Sequence, residues 1–280
     1  MRILIRTSKT AIWARRLASL SLPLAAVPVL LHHRQGIDSA RFQLVETIAL
    51  GVALLALLLS ILAMVRLWRS GDRGWDRAFT GLFLSLLCLA PFGYATWLVY
   101  ENPAVTDVST APDSALQLRS APAAAPLDPA LREAVEDAFP NMRTRHYQLD
   151  TERLFAIIRR LVDDRGWQVQ ATREPLGPLD SGEIDAIDTT WMGWRDEVAI
   201  RLAGTDDGVS VDMRSASLGN VQADFGANGR RIEEFLLALD AAVTEDMQNG
   251  TPEPPPEPPR DPNVVYPADR PPDLRPSTDE

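Results

Sequence analysis

The stretch LVETIALGVALLALLLSILAMV, residues Leu44–Val65, decides the architecture of this chain. It contains one charged side chain, Glu46, near its beginning. A helix of roughly 20 apolar residues crosses the hydrocarbon of a membrane, so this stretch is long enough to span one. A second stretch, Ala78–Tyr100 (AFTGLFLSLLCLAPFGYATWLVY), carries no charge. Both predict transmembrane helices, and Trp97 and Tyr100 fall where aromatic rings favour the headgroup boundary.

A shorter apolar stretch, Leu17–Leu31, precedes these two and contains two prolines. We expect it to be a third span. The alternative is a cleavable signal peptide, because two arginines stand before the apolar run. No suitable pair of small residues follows the run, and two spans come after it. The sequence therefore favours a transmembrane region with three spans in residues 1–100, at about 17–31, 44–65 and 78–100.

The basic residues of the short segments predict the orientation. Five precede the first span and four lie between the second and third, against two between the first and second. Because lysine and arginine concentrate on the cytoplasmic side, we expect a cytoplasmic N-terminus and an exoplasmic or periplasmic C-terminal part. The 27 arginines against one lysine indicate a high-GC bacterial genome. The expected location is the inner (cytoplasmic) membrane, as a multi-pass protein.

The remaining residues, 101–280, hold 17 basic and 34 acidic side chains, a balance of −17. That charge argues against binding to nucleic acid. Cys88 is the only cysteine and lies within a span, so no intrachain disulfide can form. With three histidines, of which only His146 lies in the acidic part, we expect no metal site and no cofactor. A triad of Ser215, Asp188 and His146 has no support in its spacing.

Hydrophobic periodicity predicts an exported α+β domain over residues 128–248, with a short helix beginning at Asp128-Pro129. Asp150–Arg165 and about Ala227–Gln248 show the apolar stripe of amphipathic helices. Four strands are expected between them: Trp167–Ala171, Glu183–Thr190, Glu197–Leu202 and Val209–Ala216. The predicted fold is an antiparallel four-strand meander covered on one face by two helices.

Two segments of low complexity flank this predicted domain. Residues 101–127 are rich in Ala, Pro, Ser and Asp and predict an extended linker. Residues 249–280 hold 11 of the 22 prolines and predict a disordered proline-rich tail. The tail is either a spacer or proline-motif ligand for a partner, or a solvated segment without one.

The strongest local signal is Arg214–Ser217 (RSAS) followed by Asp224–Asn228 (DFGAN) and two further arginines. Arg230 and Arg231 occupy the first turn of the last helix, the end at which the helix dipole disfavours cations. One interpretation is a site for an anion or lipid headgroup. The candidate ligand-binding residues are Arg214, Ser215, Ser217, Asp224, Asn228 and Arg231.

The other interpretation of this motif is internal pairing. Asn228 would then cap the last helix. The expected ion pairs are Asp224 with Arg231, Glu234 with Arg230, and Glu197 with Arg214. Between the second and third strands of the meander, Trp191 and Trp194 would line an apolar groove, dip toward the membrane or close the end of the core.

The run RSAS…DFGANGRRI, with FPNMRTRHYQLD, GWQV and EIDAIDTTWMGWRDEV, resembles the bacterial family called domain of unknown function 1499, in its membrane-anchored form. VTDVST, residues 105–110, is similar to the segment that precedes the domain in anchored members. The resemblance implies no established activity. The positions that match the family motif are Arg214, Ser215, Ser217, Asp224, Gly226, Asn228 and Arg231, with Asp107, Ser109 and Thr110 upstream.

Three functions are compatible with the sequence. The first is a non-enzymatic envelope module that is tethered to the lipid bilayer and binds a lipid-like or anionic ligand or another membrane protein. The second is an envelope hydrolase. The third is a structural subunit of a membrane complex. Residues that converge around a void would favour binding or catalysis, whereas the same residues paired over a filled core would favour a structural role.

The orientation is tested with topology reporters. Fusions after Tyr100 and after Gln248 should behave as exoplasmic, and fusions within residues 66–77 as cytoplasmic, because the arginine-rich segments stay inside. A cytoplasmic signal after Gln248 would mean that the first apolar stretch does not span.

Overall fold

The computed structural model describes residues 7–111, 116–120, 127–177, 179–219, 221 and 223–249. Its first three helices are α1 (Lys9–His33), α2 (Ser39–Ser70) and α3 (Trp75–Glu101), and each is long and apolar enough to cross a membrane. They contain the three predicted spans. The chain divides into two compact units, residues 1–240 and 241–280. Of the second unit the structure describes 241–249, which are helical; the rest of the predicted tail lies outside the described residues.

Small residues bring the three long helices together. A Cβ placed on Gly81 of α3 would lie 2.7 Å from the Ser60 hydroxyl of α2 and 3.1 Å from the backbone of Ala14 in α1. The Cys88 thiol donates to the Ser21 carbonyl at 3.6 Å. Most large apolar side chains point outwards, as Leu58 and Phe83 do. Small residues inside and large apolar residues outside are typical of helices packed in lipid.

The domain that follows α3 is an antiparallel sheet with helices, which confirms the predicted α+β class. Its elements are β1 (Asp107–Ser109), α4 (Pro129–Ala138), β2 (Arg145–Tyr147), α5 (Thr151–Asp164), β3 (Gln168–Arg173), β4 (Ser181–Thr189), β5 (Arg195–Thr205), β6 (Gly208–Ser217) and α6 (Ala227–Asn249). The strand order is β1-β6-β5-β4-β3, and β2 also pairs with β6. The four-strand meander β3 to β6 is therefore present as expected.

Alternation along β5 and β6 builds the core. Val198, Ile200 and Leu202 of β5 are fully buried, as is Met213 of β6, which pairs with Ile200. The apolar stripe of α5 packs on this face of the sheet, and Trp167 stacks on Phe235 of α6 with 5.3 Å between ring centroids. We call this the helix face of the sheet and the opposite side its outer face.

The interval that we expected to be a linker contributes to the sheet. It contains β1, which pairs with β6, and the segment 116–120, in which Leu116 and Leu118 are buried against Ala199 and Ala216 on the outer face. β1 and β2 are each three residues long, too short for an alternation of hydrophobicity to register in the sequence. The sheet therefore includes residues of the interval that we predicted to be a linker.

A turn of the membrane region is bonded to the hairpin between β4 and β5. His32 Nδ1 lies 2.8 Å from the Met192 carbonyl, and Gln35 Nε2 donates to the Gly193 carbonyl at 2.8 Å. Trp194 packs edge-on against His32 with 4.8 Å between ring centroids, while Trp191 is 75 % exposed. Trp191 is therefore not part of the core, whereas half-buried Trp194 contacts the membrane region. We call residues 190–194 the docking hairpin.

The role of the interval before residue 128 is tested by truncation. A fragment of residues 103–249 should unfold cooperatively, whereas residues 128–249 should be markedly less stable, because they lose β1 and the buried leucines of 116–120. Urea denaturation of both fragments measures the difference. Equal midpoints would show that β1 does not contribute to the sheet.

Candidate functional site

A buried arginine joins the start of α6 to two strands. Arg231 Nε donates to Asp188 Oδ2 at 2.7 Å, and its Nη2 donates to Asp196 Oδ2 at 2.5 Å. Asp188 of β4 and Asp196 of β5 stand directly opposite each other in the ladder, on the helix face. Two carboxylates so placed repel each other, and the Arg231 guanidinium compensates both. This also explains how a cation can occupy the first turn of a helix.

The same guanidinium orders a network of neutral groups. Arg231 Nη1 donates to Ser215 Oγ at 3.0 Å and to Asn228 Oδ1 at 2.7 Å. Ser215 donates to the same Asn228 oxygen at 2.7 Å. The Asn228 amide donates to Ser217 Oγ at 3.0 Å and to the Thr106 carbonyl at 3.2 Å. Since Ser215 and Asn228 are fully buried, these bonds satisfy groups that would otherwise be costly to desolvate.

Asp224, not Asn228, caps α6. Its carboxylate accepts from the backbone N–H groups of Gly226 and Asn228, both at 2.8 Å. Burial raises the pKa of the Asp224 carboxyl, and the two N–H donors work in the opposite direction. The expected ion pair of Asp224 with Arg231 is wrong, because Asp188 and Asp196 take that place.

A second buried arginine lies on the outer face. Arg214 is 1 % exposed; its Nε and Nη2 donate to the two carboxylate oxygens of Asp107 at 2.9 and 2.6 Å, and its Nη1 donates to the Leu116 carbonyl at 2.7 Å. This bidentate pair ties β1 and the segment 116–120 to β6. The expected partner, Glu197, instead accepts from the backbone N–H groups of Arg119 and Ser120.

The six candidate residues therefore do not converge on one void. Ser215, Ser217, Asn228 and Arg231 share the helix-face network, Asp224 caps the neighbouring helix, and Arg214 points to the opposite face. Every one of the six has an intramolecular hydrogen bond. That these residues bind an external ligand stays a prediction, because their hydrogen bonds are all made within the chain.

A cleft opens beside this network, with a volume of about 350 Å³. The cleft is lined by Arg165, Trp167, Asp188, Ala227, Arg230, Arg231 and Glu234. Arg165 follows the last residue of α5 and was read from the sequence only as part of a helix end. Its guanidinium lies 4.9 Å from the centre of the Phe235 ring and 5.9 Å from that of Trp167. Burial lowers the pKa of Arg165, although nearby carboxylates raise it.

Arg230, the second arginine of this cleft, has only neutral partners. Its Nη2 donates to the Phe225 carbonyl at 2.7 Å and its Nη1 to Asn102 Oδ1 at 3.1 Å. The expected pairing with Glu234 is therefore wrong. Sequence reasoning missed Asp196 and the cleft, because both depend on contacts between distant segments.

The structure also bears on the triad of Ser215, Asp188 and His146 and on metal binding. His146 of β2 stands opposite Ser210 of β6, five residues from Ser215, or about 16 Å along a strand. His146 therefore does not lie beside Ser215, and these residues do not form a triad. Among the described residues, no group of three His, Cys, Asp or Glu side chains could hold a metal ion.

An acidic group on the outer face lacks a partner. Asp185 Oδ1 is buried without a hydrogen bond in the described part of the chain. Burial, and to a lesser extent the nearby Glu183 and Glu197, raise the pKa of Asp185 to about 6, against the lowering effect of Arg119. The ionised form of Asp185 therefore destabilises the folded domain near neutral pH.

Comparisons with known proteins give a family match for part of the chain. Residues 107–239 match the family described as Protein of unknown function (DUF1499), which confirms the resemblance found in the motifs. No curated protein and no solved structure matches the chain.

The Arg231 network is tested by double-mutant cycles. Arg231→Ala strands two opposed carboxylates and should lower the free energy of unfolding by about 3–5 kcal/mol, whereas Asp224→Asn, which weakens a helix cap, should cost about 1 kcal/mol. Denaturation should show strong coupling of Arg231 with Asp196 and weaker coupling with Asp224. An unchanged stability in Arg231→Ala would instead favour a role toward an external anion.

The unpaired carboxyl of Asp185 generates a pH prediction. Because its folded pKa lies above the unfolded value of 3.8, the folded state binds the extra proton between about pH 4 and 6, and this contribution to stability falls as pH rises. Asp185→Asn should therefore stabilise the domain at pH 7 and flatten its stability between pH 4 and 6. Denaturation midpoints across pH measure both effects, with Asp206→Asn on an exposed turn as the control.

Proposed function

We propose, from the premise that residues 107–239 form a DUF1499 domain, that this chain is a non-catalytic binding module of the bacterial cell envelope, anchored in the inner membrane by α1 to α3. Its exported domain works at the periplasmic surface of the bilayer, on a lipid-like or anionic ligand or on another membrane protein. The observation that carries the proposal is the bonding of the docking hairpin to the turn between α1 and α2.

That bonding fixes the position of the domain relative to the membrane region. His32 and His33 at the end of α1 and Gln35 in the turn that follows are hydrogen-bonded to the carbonyls of Met192, Trp191 and Gly193, respectively. A domain on a flexible linker would move freely in the periplasm. These hydrogen bonds instead keep one end of the sheet at the level of the lipid headgroups. Exposed Trp191 lies at that level, where an indole is favoured.

Gly193 makes the close approach feasible. Its φ of +91° belongs to the region that favours glycine, and a Cβ there would overlap the His32 carbonyl. The interface therefore depends on a residue without a side chain at this position.

The buried polar residues of the family motif support binding or architecture over hydrolysis. The Ser215 hydroxyl donates to Asn228 and accepts from Arg231, so it is engaged by two groups that cannot act as a base. A structural subunit of a membrane complex is the second candidate. The two candidates differ in which molecules should co-purify with the protein.

Native mass spectrometry of the purified full-length protein tests the proposal. We expect lipid, or a partner at less than one copy per chain, to remain bound when the protein is released from mild detergent in the mass spectrometer, since the module works at the bilayer surface. A fixed stoichiometry with one other membrane protein would favour the structural subunit. Protein that carries neither lipid nor partner, across several detergents, would contradict both.

A further inference from the structure

The cleft beside the start of α6 holds two arginines that lack an acidic partner. In the described part of the chain, no carboxylate lies within ion-pair distance of the Arg165 or Arg230 guanidinium. Arg165 is held by ring faces and by the carbonyls of Leu161 and Glu234. Arg230 is held by the oxygens of Phe225 and Asn102. Residues 101–280 carry twice as many acidic as basic side chains, so arginines ordered by neutral acceptors point to an anion from outside the chain.

The cleft lies at the outer end of α3. Asn102, which accepts from Arg230, is the residue that directly follows α3. A Cβ on Gly226 would overlap the Asn102 side chain, so the loop before α6 is pressed against this helix end. In a bilayer the end of a spanning helix stands among the headgroups, and Arg230 therefore sits at the depth of the lipid phosphates.

The composition of the cleft limits the ligand. The amide groups at the start of α6 are already taken by the Asp224 carboxylate, so the arginine side chains supply the positive charge. Guanidinium groups bind phosphate well because they are planar and weakly hydrated. Glu234 also lines the cleft, with an exposed side chain, and it disfavours a small free anion. An ammonium group beside the phosphate would compensate this carboxylate.

We propose that this cleft binds the zwitterionic headgroup of a phospholipid from the outer leaflet, with the phosphate on Arg165 and Arg230 and the amine of an ethanolamine-type headgroup on Glu234. The inference rests on the proposed function and names the ligand class of the membrane-facing surface. Trp167, which lines the cleft, offers an apolar wall to the glycerol end of the lipid. The bilayer is the source of this ligand, which distinguishes it from free phosphate.

The test is a lipid titration of the full-length protein in detergent, read by native mass spectrometry. The probes are phosphatidylethanolamine, phosphatidylglycerol and diacylglycerol with identical acyl chains. Arg230→Gln and Arg165→Gln should each raise the Kd for phosphatidylethanolamine about tenfold, because each removes a charge-assisted bond. Arg160→Gln, which removes one exposed arginine from α5 outside the cleft, is the matched control and should change the Kd by less than about twofold.

The carboxylate provides a second readout that does not depend on the stability of the arginine variants. Glu234→Gln should reduce or abolish the preference for phosphatidylethanolamine over phosphatidylglycerol, while diacylglycerol should bind weakly to every variant. Melting temperatures confirm that the variants are folded. Arginine variants that bind like the wild type would overturn the inference, as would displacement of the lipid by millimolar inorganic phosphate.

These results separate the two proposals. If substitution of Arg165, Arg230 and Glu234 leaves lipid binding unchanged, the headgroup site is contradicted but the proposed binding module is not. A wild-type protein that binds none of the three lipids and brings no partner through purification contradicts the proposed function itself, and the headgroup site with it.

Discussion

The Arg231 guanidinium is the constraint on which the α+β domain depends. It sits between Asp188 and Asp196, which face each other across β4 and β5, and its remaining donors reach Ser215 of β6 and Asn228 of α6. Removing an arginine from such a place leaves buried charges without compensation, although the intact pair adds little net stability over apolar packing. The contribution of Arg231 is to determine that β4, β5 and β6 meet the start of α6, next to the docking hairpin.

Arg214 likewise joins distant segments of the chain, on the outer face of the sheet. Its bidentate bond to Asp107 holds β1, and its bond to the Leu116 carbonyl holds the segment that covers Ala199 and Ala216. The residues that match the family motif thus act mainly as ties between segments far apart in sequence. In the headgroup site that we propose, the ligand would be bound by their neighbours, Arg165 and Arg230, whose guanidinium groups form no ion pair in the described part of the chain.

Local pattern predicted the elements well and their connections poorly. The three apolar helices, α5, α6 and the meander all follow from periodicities that are visible within 10 to 20 residues. The ion pairs do not, because Asp107 and Arg214 are 107 positions apart and Asp188 and Arg231 are 43 apart. Glu197 and Asp224 lie nearer in the sequence and were therefore expected to pair with Arg214 and Arg231, respectively. In the folded domain both carboxylates accept from backbone N–H groups instead. In the same way, the Ala- and Pro-rich composition around β1 concealed a strand of three residues.

The proposed function requires the α+β domain to be held against the helices α1 to α3. Double electron–electron resonance between spin labels at Arg34, in the turn after α1, and Asp206, on the exposed turn between β5 and β6, measures this directly in lipid nanodiscs. We expect one narrow distance distribution, which Gly193→Ala should broaden while the domain stays folded, because the new methyl group collides with the His32 carbonyl. A broad distribution in the wild-type protein, or one that Gly193→Ala leaves unchanged, would contradict the account.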